Sequence, residues 1–186
     1  MNSEKIDKSG GGKGLYRREE KKRLLKLEDL YARHGESLYR YLVFRLGSAE
    51  DAEDVLQETF CRFARYMVRW KLVRDPRGFV FRVARNEVNR FLRRKFGRRA
   101  EEAMIQAGGA SGFSAAFTAP EEPSLALLLR QADELPAEQK EVVFLKVFEG
   151  FTFKEIGSAC GVSANTAASR YRYGIEKLRE AVEGKR

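Results

Sequence analysis

Every stretch of this chain that carries an apolar pattern repeats at three- and four-residue steps, and none alternates at two. That periodicity gathers the apolar side chains on one face of a helix and leaves no segment patterned as a strand. The first stripe is Leu27, Leu30, Tyr31, His34, Leu38, Tyr41 and Leu42, with Gly35 expected to weaken its helix or break it in two. The second is Ala52, Val55, Leu56, Thr59, Phe60, Phe63 and Met67, opened by Ser48 with Asp51 three residues on, the spacing of a capping box. For the third, Asp75 is the expected N-cap and Pro76 the first helical residue, ahead of Phe79, Val80, Val83, Ala84, Val88, Phe91 and Leu92. The fold class is all-α.

Between Arg98 and Ser124 the periodicity stops, and Gly, Ala, Ser and Pro take over. A patternless stretch of that length is unusual inside one compact domain. Residues 98–123 therefore read as a flexible linker between two small helical domains, an N-terminal helical bundle at 24–97 and a second unit at 124–186. Residues 1–23, rich in Gly and Lys, read as a disordered basic tail. In the second unit Leu125, Leu128, Leu129 and Ala132 mark a helix closed by Leu135-Pro136, and another runs from about Ala137 to Glu149 before Gly150. Thr152 with Glu155 repeats the capping box and starts a brief helix to Cys160. Gly161 makes a tight turn, and Ser163 caps a final helix reaching about Glu183. A short helix, a glycine turn and a longer basic helix form the helix-turn-helix layout.

Several chemistries are excluded. Cys61 and Cys160 lie far apart with no Cys or His beside them, whereas a structural zinc site needs about four close ligands. They read as free buried thiols of a reducing compartment. The single histidine, His34, sits on an apolar stripe and reads as a packing residue, so no Ser-His-Asp arrangement can form. Ser9-Gly10-Gly11-Gly12-Lys13-Gly14 has the look of a phosphate loop, but its first Gly is misplaced and Gly14 stands where Ser or Thr is required. The chain is expected to be no enzyme and to use no cofactor or metal. No apolar run approaches the roughly 20 residues of a membrane span, and the N-terminus has no signal-peptide core, so a soluble, cytoplasmic protein without a membrane partner is expected.

Charge narrows the function. The chain has 36 Lys and Arg against 27 Asp and Glu, a net +9, unevenly spread. Residues 46–61 hold Glu50, Asp51, Glu53, Asp54 and Glu58 and no base. Residues 62–99 hold 14 bases against Asp75 and Glu87, a local +12 that exceeds the net charge of the whole chain. Tyr66, Trp70, Phe79 and Phe81 are interleaved with those bases. Cations for phosphates and rings for bases are how single-stranded or melted DNA is held. On the last helix Ala167, Tyr171, Gly174 and Leu178 share one face and would pack inward. Asn165, Thr166, Ala168, Ser169, Arg172 and Tyr173 lie opposite, with Arg170 at the flank, and suit readout of base edges in a major groove.

With these features in place the sequence resembles the extracytoplasmic-function (ECF) sigma factors, two-domain members of the sigma-70 family of bacterial RNA polymerase. Three stretches carry the likeness. Asp51-Ala52-Glu53-Asp54-Val55-Leu56-Gln57-Glu58-Thr59-Phe60 resembles the region 2 helix that docks on the polymerase clamp. Arg82-Val83-Ala84-Arg85-Asn86 with Phe91-Leu92-Arg93-Arg94 resembles the adjoining helix that engages the −10 element. Leu135-Pro136 through Gly150, Gly161-Val162-Ser163 and Ser169-Arg170 resemble region 4, which binds the −35 element. The resemblance implies core-polymerase contacts at Asp51, Asp54, Gln57, Glu58 and Phe60. It implies a loop from Tyr66 to Arg77 that captures a flipped base, and melted DNA along Tyr66, Trp70, Arg77, Phe79, Arg82, Arg85, Asn86, Asn89 and Arg93. It implies duplex −35 contacts at Asn165, Thr166, Ser169, Arg170, Arg172 and Tyr173, and a linker threading toward the RNA path. Partners implied are core RNA polymerase and promoter DNA, with an anti-sigma factor as a further candidate. Two departures stand out: Phe79 where the family usually has Trp, and Ala167-Ala168 where it usually has Val and a cation. Two rival readings are a regulator that binds duplex DNA alone and an adaptor whose basic helix binds RNA or an acidic protein; the acidic stretch at 46–61 speaks against the first.

Overall fold

The structure is a computed structural model and describes residues 10–66, 75–106 and 123–183. Among the described residues the regular elements are helices: α1 Gly10–Leu46, α2 Ala49–Tyr66, α3 Pro76–Gln106, α4 Pro123–Asp133, α5 Ala137–Val147, α6 Phe153–Cys160 and α7 Ala164–Glu183.

Helices α1 to α3 build the first domain. The Asp51 N–H donates to Ser48 Oγ (3.2 Å) at the start of α2, and the Gly78 N–H donates to Asp75 Oδ1 (3.0 Å) at the start of α3. The stripes then turn inward: Leu38, Leu42, Ala52, Val55, Phe63, Val80, Ala84 and Val88 are wholly buried. Each large side chain removed from water in this way contributes about 1.5–3 kcal/mol, well above the tenths by which most helix propensities differ. Packing therefore decides the orientation of each helix. Glu87 is buried on α3 and is held by Arg62 (2.5 Å) and Arg90 (3.0 Å), which offset the cost of burying its charge.

Three boundaries differ from the sequence reading. Helix α1 begins at Gly10, so residues 10–23, expected in a disordered tail, are helical; residues 1–9 lie outside the described residues. The same helix runs through Gly35 without a break. That residue is buried, and a Cβ there would sit 3.5 Å from the Tyr31 ring. Tertiary burial outweighs the roughly 1 kcal/mol by which a helix prefers Ala over Gly. Helix α3 continues to Gln106 across a kink at Gly97 (φ 78°, ψ 170°), so residues 98–106 of the expected linker are helical and 107–122 lie outside the described residues.

In the second domain Thr152 and Glu155 form the reciprocal capping box that opens α6. At its end Gly161 takes φ 73°, a left-handed conformation that L side chains rarely adopt. One turn earlier, a Cβ on Gly157 would come within 2.7 Å of the Val162 carbonyl oxygen, so the turn closes only over a glycine. The Thr166 N–H donates to Ser163 Oγ (3.0 Å), and α7 leaves the turn with Ala167, Gly174 and Leu178 buried against the domain. This is the expected helix-turn-helix.

The two domains, joined by a stretch that reads in sequence as a flexible linker, pack on each other. Helix α3 lies along α6, and Phe81 of α3 meets Phe151 edge-on at 4.7 Å. Phe44 of α1 stacks on Phe144 of α5 at 4.2 Å with an interplanar angle of 18°. All four rings are buried.

Candidate polymerase and nucleic-acid interfaces

Helix α2 presents its acids as expected, but not all of them are at liberty. Asp54 and Gln57 are exposed, with Glu50 and Glu53 beside them. Asp51 is held by Lys95 Nζ (2.6 Å), and Glu58 by Arg94 (2.9 Å), both from α3. Phe60 is half-buried, 5.0 Å from the Tyr31 ring and 5.4 Å from Phe63. Exposed ion pairs of this kind contribute at most about 1 kcal/mol, so a partner's cations can exchange with them.

The basic face of α3 is divided. Arg82, Asn86 and Arg93 are exposed. Phe79 is half-buried, with the exposed Tyr66 ring edge-on to it at 5.9 Å and the Arg82 guanidinium 5.7 Å from its centroid. Trp70 and residues 67–74 of the expected base-capturing loop lie outside the described residues. Arg77 and Arg85 face the second domain instead, and Asn89 bonds within the first. The Arg77 guanidinium donates to the Glu149 carbonyl and lies 4.0 Å over the Phe151 ring. Arg85 Nε donates to both carboxylate oxygens of Glu141, at 3.1 and 3.2 Å. Asn89 accepts from Arg45 at 3.4 Å.

Glu141 is the centre of that seam. It accepts from Tyr41 Oη (2.5 Å) and Arg45 Nη1 (2.8 Å) as well as from Arg85. Burial alone pushes its carboxyl up; the Arg45 and Arg85 guanidiniums and the Tyr41 hydrogen bond outweigh this and hold it below the usual carboxylate range. Burial and the Glu141 charge push the Tyr41 phenol well above its ordinary value, so it stays a donor. Nearby, Arg40 Nε donates to Glu149 (3.1 Å), whose side chain is 1% exposed. None of Arg40, Arg45, Glu141 and Glu149 was marked by the sequence reading. The available signal was Phe44, at the edge of the α1 stripe three residues after Tyr41, and Phe81, on the α3 stripe seven residues before Val88.

On α7, Asn165, Thr166, Arg172 and Tyr173 are exposed, while Ser169 and Arg170 are half-buried. Arg170 is paired with Glu138 at 2.6 Å, and the Thr166 hydroxyl lies 2.8 Å from Ser163 Oγ, inside the cap. Arg172 lies 5.3 Å from its neighbour's ring, Tyr173. Of the two thiols expected to be buried, Cys61 is exposed, and Cys160 is half-buried with its pKa pushed up by burial. His34 is half-buried and its pKa is lowered, first by burial and then by Arg77 and Arg33. Among the described residues no cluster of His, Cys, Asp and Glu could hold a metal, and no helix is long and apolar enough to cross a membrane.

An acidic helix, a basic helix and a helix-turn-helix in one all-α chain define a class of transcription protein. The comparisons agree. Residues 30–97 match Sigma-70 region 2, and residues 125–178 match Sigma-70, region 4. The chain is 32% identical over 154 residues to the RNA polymerase sigma factor CarQ of Myxococcus xanthus, covering 82% of this chain and 87% of that one. It is 31% identical over 155 residues to the ECF RNA polymerase sigma factor SigL of Mycobacterium tuberculosis, covering 81% and 85%. Its fold is similar to that of the sigma factor RpoE, solved with the anti-sigma factor NepR from Bartonella quintana, at a TM-score of 0.58 and 21% identity over 91% of this chain and 99% of that one. The chain belongs to the sigma-70 family, in its extracytoplasmic-function class of RNA polymerase sigma factors.

Proposed function

We propose that this sigma factor joins core RNA polymerase through α2, holds the melted −10 element on α3 and reads the duplex −35 element with α7. The polymerase, rather than this chain, then performs the chemistry. The observation that carries the reading is the separation of the three faces. Acids exposed on α2 suit a partner's basic surface, where charge complementarity sets encounter and register. Arg82, Asn86 and Arg93 with the Tyr66–Phe79 ring pair suit a single strand. Asn165, Arg172 and Tyr173 on the outer side of α7 suit base edges.

The two promoter elements lie roughly 25 base pairs apart, about 85 Å at 3.4 Å per pair. Helices α3 and α6 touch in this structure, so the domains must part before both elements can be engaged. An anti-sigma factor, the partner of the Bartonella quintana relative, is a third candidate partner, and a cytoplasmic location follows from the proposed role. Transcription with purified core enzyme on a template bearing the cognate promoter tests the reading. Initiation that depends on both this chain and the promoter is the expected result. Duplex binding without core, or RNA binding without promoter dependence, would favour the regulator or the adaptor instead.

A further inference from the structure

Four guanidiniums of the first domain, Arg40, Arg45, Arg77 and Arg85, line the seam opposite two acids of the second, Glu141 and Glu149. Arg40 also holds Glu36 of its own helix at 2.8 Å, so cations still outnumber carboxylates. A contact made only for cohesion would not bury Arg45, 5% exposed, against a carboxylate on a domain that must leave. When the domains part, Arg45, Arg85 and Tyr41 lose Glu141, and the rings of Phe44 and Phe81 lose Phe144 and Phe151. What appears on the first domain is a row of cations beside aromatic faces. That is the composition of a single-strand site, with guanidiniums for phosphates and rings for bases.

We infer that the seam of the second domain is an internal mimic of a single nucleic-acid strand, and that Arg40, Arg45, Phe44 and Phe81 extend the strand-binding face once it leaves. Glu141 and Glu149 stand where backbone phosphates would lie. Phe144, stacked on Phe44 at 4.2 Å, and Phe151, under the Arg77 guanidinium at 4.0 Å, stand where bases would lie. The closed chain thereby holds single-stranded DNA only on the outer face of α3, and more weakly, until another partner draws the second domain away. This rests on the reading of α3 as the face for melted DNA, and it adds residues from α1 that nothing in that reading requires.

The test uses the full chain without polymerase and a dye-labelled single-stranded DNA oligonucleotide, read by fluorescence anisotropy. Glu141→Gln combined with Glu149→Gln keeps the shapes and removes both charges. This double variant is expected to bind the strand at least tenfold more tightly than the native chain. Adding Arg45→Met should remove most of that gain; Arg40→Ala, at a more exposed position, should reduce it and carries the same test if Arg45→Met fails to fold. Equal affinity of the native chain and the double variant overturns the mimicry. Retention of the gain in both arginine variants overturns the proposed phosphate positions. Inorganic pyrophosphate supplies the anion without the bases. It should compete poorly, and displacement as effective as that by unlabelled strand would overturn the stacking half of the proposal. The sigma-factor reading is tested apart from this, because promoter-dependent transcription by the native chain needs no change at Glu141.

Discussion

Replacing Gly78 with alanine would place a Cβ 2.2 Å from Asp75 Oδ2, 2.7 Å from Ser158 Cβ and 2.8 Å from the Ser158 hydroxyl. Carbon atoms in good contact sit about 3.5–4.0 Å apart, so both neighbours must yield. Asp75 can swing aside, giving up the cap bond to the Gly78 N–H, which costs about 1 kcal/mol. Alanine returns a similar amount, about 1 kcal/mol, through its higher helix propensity. The first domain is left near balance. Ser158 cannot yield as cheaply, because its Cβ is fixed to α6 of the other domain. Overpacking costs about 1–3 kcal/mol, which corresponds to roughly 5- to 150-fold in the balance between closed and parted domains. Cys160, on the same helix as Ser158, reports the opening, and exposed Cys61 serves as a reference in the same molecule. Alkylation of Cys160 should accelerate at least fivefold in Gly78→Ala while Cys61 reacts at its native rate. Ser158→Gly in that background removes the obstructing side chain and should restore slow alkylation. An unchanged Cys160 rate would refute the steric argument. Acceleration accompanied by a melting temperature lowered by more than about 8 °C would also refute it, by pointing to lost folding of a domain.

Three further outcomes are expected. Asp54→Lys with Glu58→Lys should weaken pull-down of core polymerase and leave helix content unchanged; native-level pull-down would remove α2 from the polymerase interface. In a −35 library scored with holoenzyme, Arg172→Ala should relax preference at one position and cost about 1–3 kcal/mol there, while Arg170→Ala should weaken all sequences alike and lower the salt slope by about one. The reverse pattern would mean that α7 is rotated from the assumed orientation. The Glu141 carboxyl is held below its ordinary value of 4.5 by Arg45 and Arg85 against the upward push of burial, so its contribution to the closed form is fully present above that value and lost as the pH falls through the lowered one. The radius of gyration should therefore be constant at neutral pH and grow only below about pH 4.5; Glu141→Gln should abolish that acid step.

Local chemistry made most of the fold legible. Ser48, Asp75, Thr152 and Ser163 each accept the backbone hydrogen bond their positions predict, because a cap acts within one helical turn. The stripes of α2 and α3 turned inward for the same reason: periodicity is a property of each helix alone. What escaped was set by contacts between distant residues. Phe81 reads as one more aromatic among bases until Phe151 is seen against it, and Glu141 reads as a surface acid until Arg45 and Arg85 close on it. Glycine content suggested disorder in residues 10–23 and a break at Gly35, yet α1 is helical through both. The exposed Asn165, Arg172 and Tyr173 were legible from the turn at Gly161 outward, since the register of α7 follows from its buried Ala167 and Gly174.

The seam around Glu141 joins two parts of one chain, so its closing does not depend on how much protein is present. A tethered partner acts at an effective concentration in the millimolar range, and any external ligand for the same face meets that competition at every dilution. The open fraction also scales whatever binds only the open form. A chain open one time in a hundred shows about 100-fold weaker apparent affinity for such a partner than its contacts alone would give. Sequence changes at Arg45 or Glu141 would then set a threshold without touching any promoter contact proposed on α7. A tighter seam would reserve the protein for a polymerase able to prise it apart, and a looser one would let it settle on DNA with no polymerase present.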